Sequence, residues 1–140
     1  MAVLDDICRI AADNADLADF LVVYIEEAHA TDGWALAENA HQISNHRSIE
    51  ERLAAAAKLA NYITLPANMT VVVDTMSDEL NRAYGALPER LYVLQNGLIV
   101  YEGRMGPFFF SPGEVDDSLK TYRERSSAGS DIDIMKPAAN

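Results

Sequence analysis

Residues 20–25 read Phe-Leu-Val-Val-Tyr-Ile, a β-branched and aromatic run that is apolar on both faces and too short for a helix. Such a run is a strand buried on both sides, the kind found in parallel sheets covered by helices. The flanking segments carry the helical period that this arrangement needs. Upstream, Leu4, Ile7, Cys8, Ala11 and Ala15 recur at helical spacing, with Asp5, Asp6, Asp13 and Asp16 on the opposite, solvated face. Downstream, Ser48 opens a helix with Glu51 three residues on as a capping box. Its apolar face is Ile49, Leu53, Ala56, Ala60 and Ile63, and Pro66 closes the connection. Residues 70–73 (Thr-Val-Val-Val) form a second buried strand that ends at Asp74.

Beyond this strand–helix–strand unit, Ser77 caps a short helix that Gly85 ends. The stretch LYVLQNGLIVYEG (residues 91–103) places apolar runs on either side of Asn96-Gly97, the strongest short signal for a hairpin, because a type I′ turn needs positive φ at both central residues. Ser111-Pro112-Gly113-Glu114 starts a last helix with Val115, Leu119 and Tyr122 inward. From Ser126 onward the chain has no period and is rich in small and polar residues, so residues 1–125 are expected to form one domain and 126–140 a mobile tail. The fold class is therefore α/β, and the order of elements resembles a thioredoxin-like sandwich. Pro88 falls where such folds often carry a cis-proline.

The chain of 140 residues suits a single core, and 49% hydrophobic with 24% charged residues is the composition of a globular protein. A net charge of −11 argues against nucleic acid or an anionic membrane surface as the main partner. The acid is concentrated: residues 1–38 hold nine carboxylates against one Arg. No apolar run approaches the ~18–20 residues that span a bilayer, and the first residues carry acid where a signal peptide needs base. A cytoplasmic protein is the expectation. Cys8 is the single cysteine, which excludes an internal disulfide, a CxxC pair and a cysteine zinc site. His29, His41 and His46 lie in a long aperiodic loop, residues 26–46, the kind of segment that is usually functional. They have neither i, i+4 spacing nor a charged partner at the offset a metal site needs.

Three segments go further. FLVVYIEEAHATDGWAL (20–36), NHRSIEERLAAAAKL (45–59) and AYGALPERLYVLQNGLIVYEGRMGPFFFSPGEV (83–115) together resemble the iodothyronine deiodinase family, thioredoxin-fold selenoenzymes that remove iodine reductively from iodinated aromatic rings. The resemblance runs from about Leu17 to about Leu119. It implies that Glu27 and His29 take part in proton delivery to the ring carbon and in contacts to the departing halogen, that His46 serves the same pocket, and that Arg90 holds a thiolate or selenolate ionised. Tyr24 stands at the end of the strand, where parallel sheets present ligand-facing groups, and Trp34 offers a stacking surface. Read from the residues alone, each histidine is a surface or satisfied loop residue, Arg90 an ion-pair partner of Glu89, Glu50 or Glu51, and Trp34 a plug at a core edge.

Family members carry their selenocysteine or cysteine on a loop that precedes the first helix of this chain, and Cys8 does not match it. The expectation is a deiodinase-like redox protein with its nucleophile absent from this sequence, inactive as it stands, or else a binding module that keeps an aromatic-ligand pocket. The ligand would be a small aromatic molecule, with or without a halogen, and the reductant an external thiol with no bound cofactor. The strand leading to the catalytic loop would lie between residues 20–25 and 90–95. Without it two rows of backbone groups stay unpaired, so a homo-oligomer or a strand donated by another chain is expected.

Overall fold

A computed structural model describes residues 2–37 and 41–130. The elements are α1 (Ala2–Asp13), β1 (Phe20–Tyr24), α2 (Ile49–Asn61), β2 (Met69–Val73), α3 (Glu79–Tyr84), β3 (Tyr92–Gln95), β4 (Leu98–Glu102) and α4 (Pro112–Ser130). β1 and β2 are parallel, in register from Phe20 with Met69 to Tyr24 with Val73, and α2 is their crossover. Asn68 ties this unit to α1: its side-chain amide donates to the carbonyls of Ala11 and Ala18, each at 2.9 Å.

The hairpin forms as its Asn-Gly pair predicts, with Asn96 at φ 52° and Gly97 at φ 78° and β3 antiparallel to β4. Among the described residues β1 pairs only with β2 and β3 only with β4, so the protein is mixed α/β with two small sheets. The peptide bonds before Pro88 and Pro107 are cis. None of the helices among the described residues is long and apolar enough to cross a membrane.

The core lies between α1, α4 and the hairpin. Ile10, Val115 and Leu119 are its buried centre, with Leu17, Phe20, Leu91, Val93 and Tyr101 packed around them. Three helix faces differ from the sequence expectation. On α1 and the turn that ends it the buried line is Ile10, Ala11 and Asn14, while Ala15 is exposed and Leu4, Ile7 and Cys8 are half-buried. Asn14 turns inward because its amide donates to the Ile10 carbonyl at 2.9 Å and faces Asp116 of α4. On α2 Leu53 is 51% exposed and Arg52, Ala55 and Ala56 are buried instead, since the guanidinium of Arg52 is drawn under the end of β2. Tyr122 is exposed on α4, one turn past the point where contact with the core ends at Leu119.

Two ends also differ. Ser77 does not cap α3, because its hydroxyl is engaged by Thr75 and Glu79. The position is taken by Asp78, in left-handed conformation and without a side-chain cap bond. α4 continues through Ser130, past the start expected for the tail; residues 131–140 lie outside the described residues. Ser48 does cap α2, its hydroxyl accepting from the Glu51 N–H. The Glu51 carboxylate reaches back to the N–H of Arg47 at 2.6 Å, one residue earlier than a standard capping box.

Candidate functional site

The C-terminal end of β1 brings three of the expected residues into contact. Tyr24, the last residue of the strand, donates its hydroxyl to Oε1 of Glu27. That oxygen lies 3.9 Å from Nε2 of His46, and the rings of Tyr24 and His46 stand 5.8 Å apart. The His46 side chain is only 3% exposed, and neither ring nitrogen has a hydrogen-bond partner among the described residues. A buried imidazole left in that state costs about 1–3 kcal/mol per unsatisfied group. Such a group calls for a functional or ligand-based explanation.

His46 reaches this place because the loop from β1 to α2 is zipped to itself. The Thr31 N–H donates to the Ile43 carbonyl at 2.9 Å, the hydroxyls of Thr31 and Ser44 meet at 2.8 Å, and the Asn45 N–H donates to Asp32 at 2.7 Å. These bonds fold the second leg of the loop back over the first and deliver His46 beside β1, two residues ahead of the cap of α2. The Asn45 N–H also holds the Asp32 carboxyl below its usual range. Burial, then the hydrogen bond and charge of Glu27, push the Tyr24 hydroxyl well above its ordinary value, so it stays a donor throughout the neutral range.

His29 and Trp34 form a second group in the same loop. Nδ1 of His29 is 3.2 Å from the Trp34 carbonyl, and the two rings meet edge to face at 5.0 Å. Trp34 is 76% exposed, so it plugs no core edge. Arg90 is engaged elsewhere. Its Nε donates to the Gly103 carbonyl at 2.8 Å, its Nη1 to the Tyr84 carbonyl at 3.2 Å, and its Nη2 pairs with Glu102. Its guanidinium also lies 5.2 Å from the centre of the Tyr92 ring. The acid partner is Glu102 rather than Glu89, Glu50 or Glu51. Leu91 turns the other way, into the core.

An open cleft of about 460 Å³ flanks His46, lined among others by Ile43, Ser44, Arg47, Ala55 and Lys58. It sets two cations of a strongly acidic chain beside the buried imidazole. Cys8 lies half-buried on α1, and burial, then the charge of Asp5, push its thiol up. Among the described residues no three His, Cys, Asp or Glu side chains gather as metal ligands.

Sequence reasoning missed the buried polar residues behind the cluster: Arg52, Asp74 and Asn81. A signal for the first existed, since Arg52 precedes Ala55, Ala56 and Leu59 at i+3, i+4 and i+7 on one helix face. Asp74 and Asn81 showed none, because their partners come from the tertiary fold.

Comparison with known proteins bears on the whole of this arrangement. Residues 1–123 match the sequence profile of the family "Iodothyronine deiodinase". The chain belongs to that family. It is 47% identical over 117 residues to the type I iodothyronine deiodinase of Xenopus laevis, a match covering 84% of this chain and 45% of that one. To the thyroxine 5-deiodinase of Aquarana catesbeiana it is 42% identical over 135 residues, 96% of this chain and 49% of the relative. The type II iodothyronine deiodinase of Neoceratodus forsteri is 44% identical over 121 residues, again 84% of this chain and 45% of the relative. The chain thus spans about half the length of the deiodinases it matches. Every candidate site residue falls inside the matched segment.

Proposed function

We propose that this deiodinase-family chain carries the proton-supplying and ring-facing half of a reductive dehalogenase acting on iodinated aromatic compounds. The observation that carries the reading is the buried imidazole of His46, without hydrogen-bond partners among the described residues, beside a Glu27 carboxylate that Tyr24 holds in place. Replacing an aryl C–I bond by C–H takes up two electrons and one proton and releases iodide. An imidazole beside a carboxylate can hand that proton to the ring carbon, and the carboxylate that Tyr24 orients sets the direction of the imidazole for the transfer. His29 and Trp34, farther along the same loop than Glu27, offer an imidazole and an exposed ring to the substrate. Arg90 belongs to the hairpin that would border the site.

The electrons come from an external thiol through a selenolate or thiolate. Cys8 is unsuited to that role, since its thiol is pushed up and it sits within a helix. The nucleophile therefore belongs on a segment outside this sequence, and the 140 residues are inactive by themselves. In a thioredoxin-like frame that segment includes a strand between β1 and β3, and the separation of the two sheets supports such a slot. The strand comes from a longer form of the protein or from another chain.

The test uses Trp34 as a reporter, the one tryptophan in the sequence. An iodinated phenol should quench its fluorescence in the 140-residue chain without iodide release in the presence of dithiothreitol. The chain extended by a segment bearing selenocysteine or cysteine should release iodide, and Glu27→Gln and His46→Gln should each remove most of that release. Iodide release unchanged by both substitutions would overturn the reading, as would absence of quenching.

A further inference from the structure

Behind the cluster lies a buried polar assembly that the proposed reaction does not use. Arg52 is 2% exposed. Its Nη1 donates to the carbonyls of Thr75 at 2.6 Å and Asp74 at 3.3 Å, and pairs with Asp78 at 2.9 Å. Asp74 is 1% exposed, and its carboxylate accepts the backbone N–H groups of Thr75, Leu80 and Asn81 at 2.8, 3.0 and 2.8 Å. The backbone of Asn81 is thereby fixed to the end of β2. Its buried side chain then donates to Oε1 of Glu26 at 2.8 Å, across 55 residues of sequence.

Glu26 is the peptide neighbour of Glu27 and lies two residues beyond Tyr24. The β1–β2 ladder ends with the Asp74 N–H donating to the Tyr24 carbonyl at 2.9 Å. Past that point the direction of the chain depends on side-chain anchors. An amide donating to a carboxylate is a charge-assisted bond, stronger and more directional than a neutral one. Here the donor belongs to a residue whose own N–H is bound by the buried Asp74 carboxylate, which also accepts from Thr75 and Leu80, while Arg52 holds the Asp74 carbonyl.

We propose that Asn81 is a positioning residue: through Glu26 it fixes the backbone of Glu27, and so the placement of that carboxylate against His46. The inference rests on reading Tyr24, Glu27 and His46 as the site, but its test needs neither substrate nor reductant. Asn81→Ala and Glu26→Ala each remove the anchor from one side. Glu26→Gln keeps it, because the amide oxygen still accepts from Asn81.

The readout is the His46 ring resonance in a proton–carbon NMR spectrum, assigned among the three histidines by single His→Gln variants. Asn81→Ala and Glu26→Ala should each shift it, the double variant no further than either single one, and Glu26→Gln should leave it in place. Arg123→Ala, which loosens the α1–α4 contact through Asp16, should lower the melting temperature without moving the His46 resonance. If Asn81→Ala fails to fold, Glu26→Ala, in a half-buried loop position, carries the same comparison. A folded Glu26→Ala variant with an unmoved His46 resonance would overturn the proposal, and so would additive shifts in the double variant. In the extended chain that releases iodide, the two anchor-removing variants should lower kcat roughly tenfold or more. Failure of iodide release in every form, with the NMR pattern as expected, would leave the positioning intact and remove only the reaction.

Discussion

Arg90 and Cys8 show how a residue's role follows from its neighbours. The guanidinium of Arg90 joins the end of α3, the start of the hairpin and the end of β4 through Tyr84, Gly103 and Glu102. Replacing it by Ala strands the Gly103 carbonyl and frees the Glu102 charge, so Arg90→Ala should cost about 1–3 kcal/mol of folding stability. Urea denaturation measures this, and a loss of iodophenol quenching at unchanged stability would instead assign Arg90 to the ligand. Cys8 is held toward the thiol form by burial and by Asp5. It should react with iodoacetamide at pH 7 more slowly than free cysteine does, because only the thiolate attacks. A rate equal to or above that of free cysteine would make Cys8 a candidate nucleophile.

The element that best repays a mutation is α3, six residues long and without a side-chain cap of its own. The carboxylate of Asp74, at the end of the preceding strand, supplies what the cap lacks. Burial raises the Asp74 carboxyl, but the N–H groups of Asn81, Leu80 and Thr75 with the charge of Arg52 outweigh it and hold the carboxyl below its ordinary value. The linkage has one sign. A group whose folded value is depressed stabilises the fold above its unfolded value of about 3.9 and loses that contribution as pH falls through the folded value. Asp74→Asn should therefore be about 1–3 kcal/mol less stable at pH 7. The gap to the wild type should narrow below about pH 4. Urea midpoints across that range measure it, and a gap independent of pH would show that the charge of Asp74 contributes nothing.

At the scale of the whole molecule the salient feature is two small sheets, neither of which pairs with a further strand among the described residues. A two-stranded sheet is marginal alone, and open edges invite another strand. The 140-residue chain should therefore sediment as a concentration-dependent assembly at micromolar concentrations. A clean monomer with a cooperative thermal transition would show that α1, α4 and the core around Ile10 and Leu119 suffice without a donated strand.

The sequence by itself determined the elements and the family. The two parallel strands, the capped helix, the Asn96-Gly97 hairpin and the segments around Glu27, His46 and Arg90 were legible because their signals are local: run, cap, turn and motif. The expected burial of both strand faces was not met, since Leu21 of β1 is 63% exposed and only Met69 of β2 is buried. It also named Tyr24, Glu27 and His46 and expected the last two in one pocket, though not that Tyr24 holds the Glu27 carboxylate there. Only the tertiary structure decided which faces turn inward and which side chains meet. Arg52 displaces Leu53 from the buried face because its partners arrive from residues 74–78, and the family motifs alone could not separate Arg90 from Glu27. The physical reason is that a helix period defines a stripe but not its rotation. That rotation is set by the polar groups the rest of the chain brings to it, and each of these must find a partner before it can be buried.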